Sequence, residues 1–257
     1  MTNKNKMKCN VKNKTPTSAE LYIYGDIVSD EGCKWSGDDM CPMDVVKALD
    51  DIKDVEQLDI YINSCGGNVF AGNAIYNRIA QHKGHKTVHV DGLAASIASV
   101  IAMAGDEIIM PSNAYLMIHK AWTAIAGNSN DLREAADRLD TIEKSIVDTY
   151  VKNAGENVTE DVIVDKMAAE TWLTAKDAKA LFPKVKEADS VNIAAYVTDM
   201  HFNAVPADIA IKNSEEPPAS PEKPETEEKD NAALEENSIA IELIENFIFT
   251  EKENENE

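Results

Sequence analysis

Leu58-Asp-Ile-Tyr-Ile-Asn-Ser-Cys-Gly-Gly67 holds two patterns back to back. Leu58, Ile60 and Ile62 alternate with Asp59 and Tyr61, the period-two arrangement of a strand with one buried face. The segment from Asn63 to Asn68 is a turn, and the Ala71, Ile75, Ile79 spacing marks a helix behind it. The pattern then repeats. Lys86-Thr-Val-His-Val-Asp91 reads as a strand closed by Gly92, and small residues lead into a helix from about residue 96 to 104. Residues 106–110 and 114–119 read as two more strands around a Pro111-Ser-Asn turn. Strand–helix alternation with short connections predicts an α/β fold. There is no G-x-G-x-x-G and no Walker loop, so a nucleotide site is not indicated.

Further along, a long helix is expected from about 130 to 153, because Leu132, Ala135, Leu139, Ile142, Ile146 and Tyr150 recur every three or four residues. Ser129 can cap its start and Gly155 can end it. Arg133, Glu134, Asp137 and Arg138 occupy the opposite face, and both the domain core and a subunit interface would suit the stripe. Residues 1–18 read as a flexible lead-in and 19–196 as the patterned domain. Residues 197–232 read as a linker, rich in Pro and Glu from 213 on. Residues 233–257 form an acidic tail holding a short apolar island around Leu243 and Phe247, either a fraying amphipathic helix or a docking segment.

Of the 257 residues, 44% are apolar and 28% charged, ordinary for a globular protein with a sizeable core. The net charge of −21 argues against nucleic acid, whose phosphates would be repelled. From residue 212 to 257 there are 15 acidic and 4 basic residues, a net of −11, so about half of that charge belongs to the tail. The apolar run 93–105 is well short of the ~20 residues a membrane span needs. No apolar segment follows the polar N-terminus, so no secretory signal is expected and the cytoplasm is the expected location. Cys9, Cys33, Cys41 and Cys65 show no CxxC spacing and read as reduced thiols; a metal site at Cys33 and Cys41 lacks a second pair to support it. No cofactor is indicated.

Four segments carry candidate chemistry. Ser96, in Asp91-Gly-Leu-Ala-Ala-Ser96-Ile-Ala-Ser99, sits at a strand-to-helix turn of small residues. There its hydroxyl can face outward and substrate backbone can approach, although a serine at this place also commonly caps a helix. The Gly66-Gly67 pair frees the backbone to turn an N–H outward, as an oxyanion hole requires. His119, closing Leu116-Met-Ile-His119, is the one histidine of five in so apolar a context. Glu170, in Glu170-Thr-Trp-Leu-Thr-Ala175, could orient such a base, or be one more surface carboxylate among 46 acidic residues.

In order and spacing these segments resemble the ClpP family, the proteolytic subunit of Clp proteases. Asn63-Ser-Cys-Gly-Gly67 resembles its N-S-P-G-G segment, Gly92-Leu-Ala-Ala-Ser96 its G-x-A-A-S, and Met117-Ile-His119 its M-I-H. Glu170-Thr-Trp-Leu-Thr-Ala175 looks like its D-x-F-[LM]-[ST]-A. The resemblance runs from about residue 21 to 188. It implies a ClpP/crotonase-like fold of stacked ββα units, with the 130–153 helix projecting as a handle, and homo-oligomeric rings. It also implies endopeptidase activity on polypeptides, with Ser96 as nucleophile, His119 as general base, Glu170 in the place of the family's aspartate, and the amides of Gly67 and Ile97 as oxyanion hole. Tyr22-Ile-Tyr-Gly-Asp26, Ala71-Gly-Asn-Ala-Ile-Tyr76 and Met103-Ala-Gly-Asp106 look closest to the phage and prophage head maturation branch, whose substrates are scaffold or capsid proteins.

The sequence also departs from the family. Cys65 stands where proline is usual, Glu170 is one methylene longer than aspartate, and Phe182-Pro183 replaces a Gly-Leu exit. The N-terminal segment lacks the axial-loop sequence, which argues against docking of an unfoldase ATPase. An acyl-CoA enzyme of the crotonase type and an inactive assembly protein of the same fold are the rival readings; the serine, histidine and acid in protease order argue against both.

Overall fold

The computed structural model describes residues 11–190 and the backbone of 196–197 and 210–211. Strands β1 (Val11–Lys12), β2 (Ser18–Tyr24), β3 (Gln57–Ser64), β4 (His85–Ala95), β5 (Glu107–Pro111) and β8 (Val185–Ala188) lie side by side in that order. All of these pairings are parallel except that of β1. Strands β6 (Tyr115–Ile118) and β7 (Thr171–Thr174) branch from the sheet: β6 runs parallel to β4, and β7 runs antiparallel to β6. The expected α/β class is the observed one.

The alternation read in Leu58–Ile62 continues on both neighbours. Leu21 and Ile23, Leu58, Ile60 and Ile62, and Val88 and Val90 are fully buried on one face. Helices α1 (Pro42–Asp51), α2 (Val69–Ala80) and α3 (Ile97–Ala102) join those residues in a single apolar core through Val45, Leu49, Ile75, Ile79 and Val100. A Cβ added to Gly72 of α2 would sit 2.1 Å from Ile97 Cγ1, so α2 lies directly on the start of α3. On the other face Tyr22, Tyr61 and His89 stack in a row, with ring centroids 4.7 and 4.6 Å apart.

One feature that positions the site departs from expectation. The strand read as closed by Gly92 runs on to Ala95. Its first half pairs with β5 through Thr87–His89 and its second half with β6 through Leu93–Ala95. The change of partner coincides with a register shift against β3, where the pair Ile62–Val90 is followed by Ser64–Ala94. Between those pairs β3 has one residue and β4 has three, a bulge around Gly92. The Asn63 side-chain carbonyl accepts the Leu93 N–H at 3.1 Å and closes the gap.

The long helix, α4 (Ser129–Asn153), starts as expected but is capped by Asn128 instead of Ser129. The Asn128 side chain accepts from Asn130 and Asp131, and Asp131 returns a bond to the Asn128 N–H. Gly155 does not end the helix in a left-handed turn. Ala154 leaves it in an extended conformation, and the Gly155 N–H bonds to Leu181 O at 2.9 Å. Ile146, Val147 and Tyr150 are buried, whereas Leu132, predicted on the same stripe, is 47% exposed. The stripe therefore packs on the core only along its C-terminal half, Ala135 apart.

Helices α5 (Glu160–Ala168) and α6 (Ala175–Leu181) flank β7. Within the 1–18 segment expected to be a flexible lead-in, Val11–Lys12 pairs with β2. Ala210–Ile211, within the expected linker, pairs with Tyr196–Val197 as two short parallel strands, β10 and β9. The rest of the expected linker and the acidic tail lie outside the described residues. Among the described residues no helix is long and apolar enough to cross a membrane.

Candidate active site

Ser96 is the single residue between β4 and α3, and its backbone is strained, with φ 55° and ψ −128°. Among the described residues the non-glycine residues at positive φ are Asn13, Ser96 and Glu170, so two of the three are predicted site residues. Such conformations cost about 1–3 kcal/mol each and persist where the surroundings impose them. Here the Ser96 N–H is held by Met117 O at 2.9 Å, and its carbonyl accepts from the N–H and the hydroxyl of Ser99 at 3.0 and 2.6 Å.

His119 follows the last residue of β6. Because β6 runs parallel to β4 with Met117 opposite Ala95, His119 and Ser96 emerge at the same carboxyl end of adjacent strands. There His119 Nε2 lies 2.7 Å from Ser96 Oγ. Burial pushes the His119 pKa below the ordinary histidine value, and the negative charge of Glu170 works in the opposite direction with smaller effect. The net shift favours the neutral ring, the form that accepts a proton.

Glu170 lies between α5 and β7, with φ 48° and only 8% exposure. The antiparallel register pairs Thr171 with Ile118, which places Glu170 opposite His119 one step beyond the ladder. Its backbone N–H bonds to Met167 O, as does that of Lys120 beside the histidine, so one carbonyl anchors both segments.

The glycine pair abuts the serine. A Cβ on Gly66 would sit 2.8 Å from Ser96 Cβ and 3.1 Å from Ile97 N. Gly67, at φ 139°, bridges to Ile27, and a Cβ there would fall 2.2 Å from Ile27 O. The bonds of that bridge use the Gly66 carbonyl and the Asn68 N–H, both at 2.7 Å, so the Gly67 N–H takes no part in it. Ser64 Oγ donates to Gly25 O at 2.6 Å and accepts the Gly66 N–H at 3.1 Å, tying the turn to the end of β2. The predicted residues from three distant stretches, together with the two glycines, therefore form one cluster.

A family model described as Clp protease matches residues 38–181, just over half of the chain, and the span contains every residue of this cluster. The chain belongs to the Clp protease family. Curated proteins similar to this Clp family member are named ATP-dependent Clp protease proteolytic subunit. That of Deinococcus radiodurans is 29% identical over 133 residues, 51% of this chain and 64% of the relative. Subunit 1 of Chlamydia abortus is 35% identical over 123 residues, 46% and 62%. That of Bacteroides fragilis is 29% identical over 138 residues, 51% and 63%. The matches thus span somewhat less than two thirds of the relatives' length.

Other sequence expectations resolve around the Clp cluster. Cys65 is buried in one cluster with Leu93, Ala95 and Met117. Cys33 and Cys41 are free thiols. Glu31, Cys41 and Asp44 do come together, but the Lys34 ammonium already lies among them, 3.1 Å from Glu31 and 2.6 Å from Asp44. Sequence reasoning missed Ser64, Ser99 and Tyr150. Ser99 stood three residues after Ser96 as a visible signal, but Tyr150 was read only as a stripe position.

Proposed function

We propose that this chain is a serine endopeptidase acting on polypeptides, with Ser96 as nucleophile, His119 as general base and acid, Glu170 orienting His119, and the Gly67 and Ile97 amides as oxyanion donors. The observation that carries the reading is the 2.7 Å approach of His119 Nε2 to Ser96 Oγ, made by a histidine whose neutral form burial favours. In the proposed reaction His119 takes the Ser96 proton as Oγ attacks a peptide carbonyl carbon. The two amides face the oxygen that becomes negative. Collapse breaks the C–N bond, the amine leaves with the proton from His119, and water releases the acyl group by the same steps in turn. Glu170 favours the imidazolium formed on the way, consistent with its pull on the His119 pKa.

Scaffold or capsid polypeptides of phage head maturation are the proposed substrates, a reading supported by the resemblance of Tyr22–Asp26 and the other quoted segments to that branch. Residues 19–196 are the proposed protease domain. Homo-oligomeric rings with α4 projecting as the handle between them fit the exposure of Leu132 on its N-terminal half. The proposed location is the cytoplasm, that of the host for a phage-encoded chain.

The test is hydrolysis of fluorescein-labelled casein by the full chain and by Ser96→Ala. Cleavage by the full chain that falls at least about 10³-fold in the variant is expected. Equal activity of the two would end the assignment of Ser96.

A further inference from the structure

Ser99 and Tyr150 carry buried hydroxyls that the proposed reaction does not use. Ser99, on the first turn of α3, and Tyr150, on the last turn of α4, are 0% and 1% exposed. Their oxygens are 2.7 Å apart, and Ser99 Oγ is also 2.6 Å from Ser96 O. A hydroxyl has one proton to give, and a carbonyl oxygen can only accept. Ser99 therefore donates to Ser96 O, and Tyr150 donates to Ser99. Burial raises the Tyr150 pKa above the ordinary tyrosine value, so it keeps that proton over any working pH. The Phe182 ring, tilted against Tyr150 at 5.9 Å, locates the phenol.

The chain ends on a carbonyl whose orientation bears on catalysis. The Ser96 C=O and the Ile97 N–H belong to one planar trans peptide, so they point in opposite directions. Fixing the oxygen with donors from Ser99 also fixes the line of the Ile97 N–H, on the side away from the buried hydroxyls. The ψ of Ser96, −128°, is the torsion that sets this plane. Left alone, a residue at φ 55° would relax, and the N–H would swing with it.

We propose that Tyr150 and Ser99 are positioning residues: their hydrogen-bond chain holds the Ser96–Ile97 peptide so that the Ile97 N–H faces the developing oxyanion. This rests on the reading of Ser96 as nucleophile. Two buried hydroxyls that merely satisfy each other would contribute to stability and leave turnover per active site alone.

The full-length chain, Tyr150→Phe, Ser99→Ala and the double variant are titrated with a fluorophosphonate to count reactive serines, then assayed on fluorescein-labelled casein. Loss of one oxyanion donor costs about 10²–10³ in kcat, so loosening one should cost roughly tenfold. Each single variant is expected to lose roughly tenfold in kcat per titrated serine, with KM within about twofold, and Tyr150→Phe should add nothing to Ser99→Ala. The acid limb of the pH profile, which belongs to His119, should not move. Single variants that keep kcat per serine within about twofold of the unmodified chain overturn the proposal, whatever their melting temperatures. Ser99→Ala decides alone if Tyr150→Phe does not fold. An unmodified chain that neither takes the label nor cleaves casein overturns the hydrolase reading, and this proposal with it.

Discussion

Two strand-to-helix turns meet at the candidate site, and they reach unusual backbone angles by opposite means. The β3–α2 turn places Gly66 and Gly67 at φ 98° and 139°, where a side chain has no room, and secures them through backbone bonds to Ile27. The β4–α3 turn has no glycine at its apex. Ser96 sits there at φ 55°, held by Met117 O and by Ser99, with Tyr150 behind. A turn that carries no side chain at its apex can be made of glycine, for which such angles cost little. A turn that has to present a hydroxyl needs a side chain, so it accepts strain and is braced by segments about 20 and 50 residues away in sequence.

The comparison breaks most severely at the glycine turn. Gly67→Ala would drive a Cβ to 2.2 Å from the Ile27 carbonyl oxygen at a φ that side chains rarely adopt. A loss on the order of 3 kcal/mol is expected in denaturant unfolding. An unchanged midpoint would show that the turn tolerates a side chain and that the contrast between the turns is false.

Acid should silence the serine turn while sparing the other. The His119 pKa lies below the ordinary 6.5, chiefly from burial, so the proton-accepting form persists as pH falls through that value. The prediction is a flat kcat/KM from pH 8 to about 6.5 and a decline only below it. A decline centred above pH 7 would mean that burial does not govern this histidine. The linked stability has the same sign. The unfolded chain takes the proton first, so on acidification the native state loses stability from about pH 6.5 down to the folded pKa.

The smallest effect isolates the strain itself. Ser96→Gly and Ser96→Ala both remove the hydroxyl, but only glycine relaxes at φ 55°. The glycine variant should be more stable than the alanine variant by about 1 kcal/mol in thermal unfolding, after allowing for glycine's unfolded-state entropy. If alanine is the equal or better residue, Ser96 is not strained.

The glycine turn was the more legible of the two. Alternation in Leu58–Ile62 followed by adjacent glycines is a local pattern, and it predicts both strand and turn. Ser96 and His119 were found because their short segments resemble a known family; the geometry that joins them depends on β6 leaving the sheet beside β4, which no local pattern records. Gly92 looked like a stop, yet tertiary pairing turned it into a bulge where one strand changes partners. Asn128 and Ser129 are both good caps, and Asp131 decides between them through its return bond. Apolar periodicity counts Tyr150 as a core ring and is blind to the hydroxyl it carries toward Ser99. Glu170 meets His119 by an antiparallel register spanning 51 positions, beyond the reach of spacing rules.

The central claim is that the hydroxyl beside His119 is a nucleophile, and a fluorophosphonate probe on the full chain tests it most directly, with the modified residue mapped by peptide mass spectrometry. The account predicts a single adduct on Ser96 that disappears in His119→Ala. Labelling at another serine with Ser96 intact, or equal labelling of Ser96 without the histidine, would contradict it.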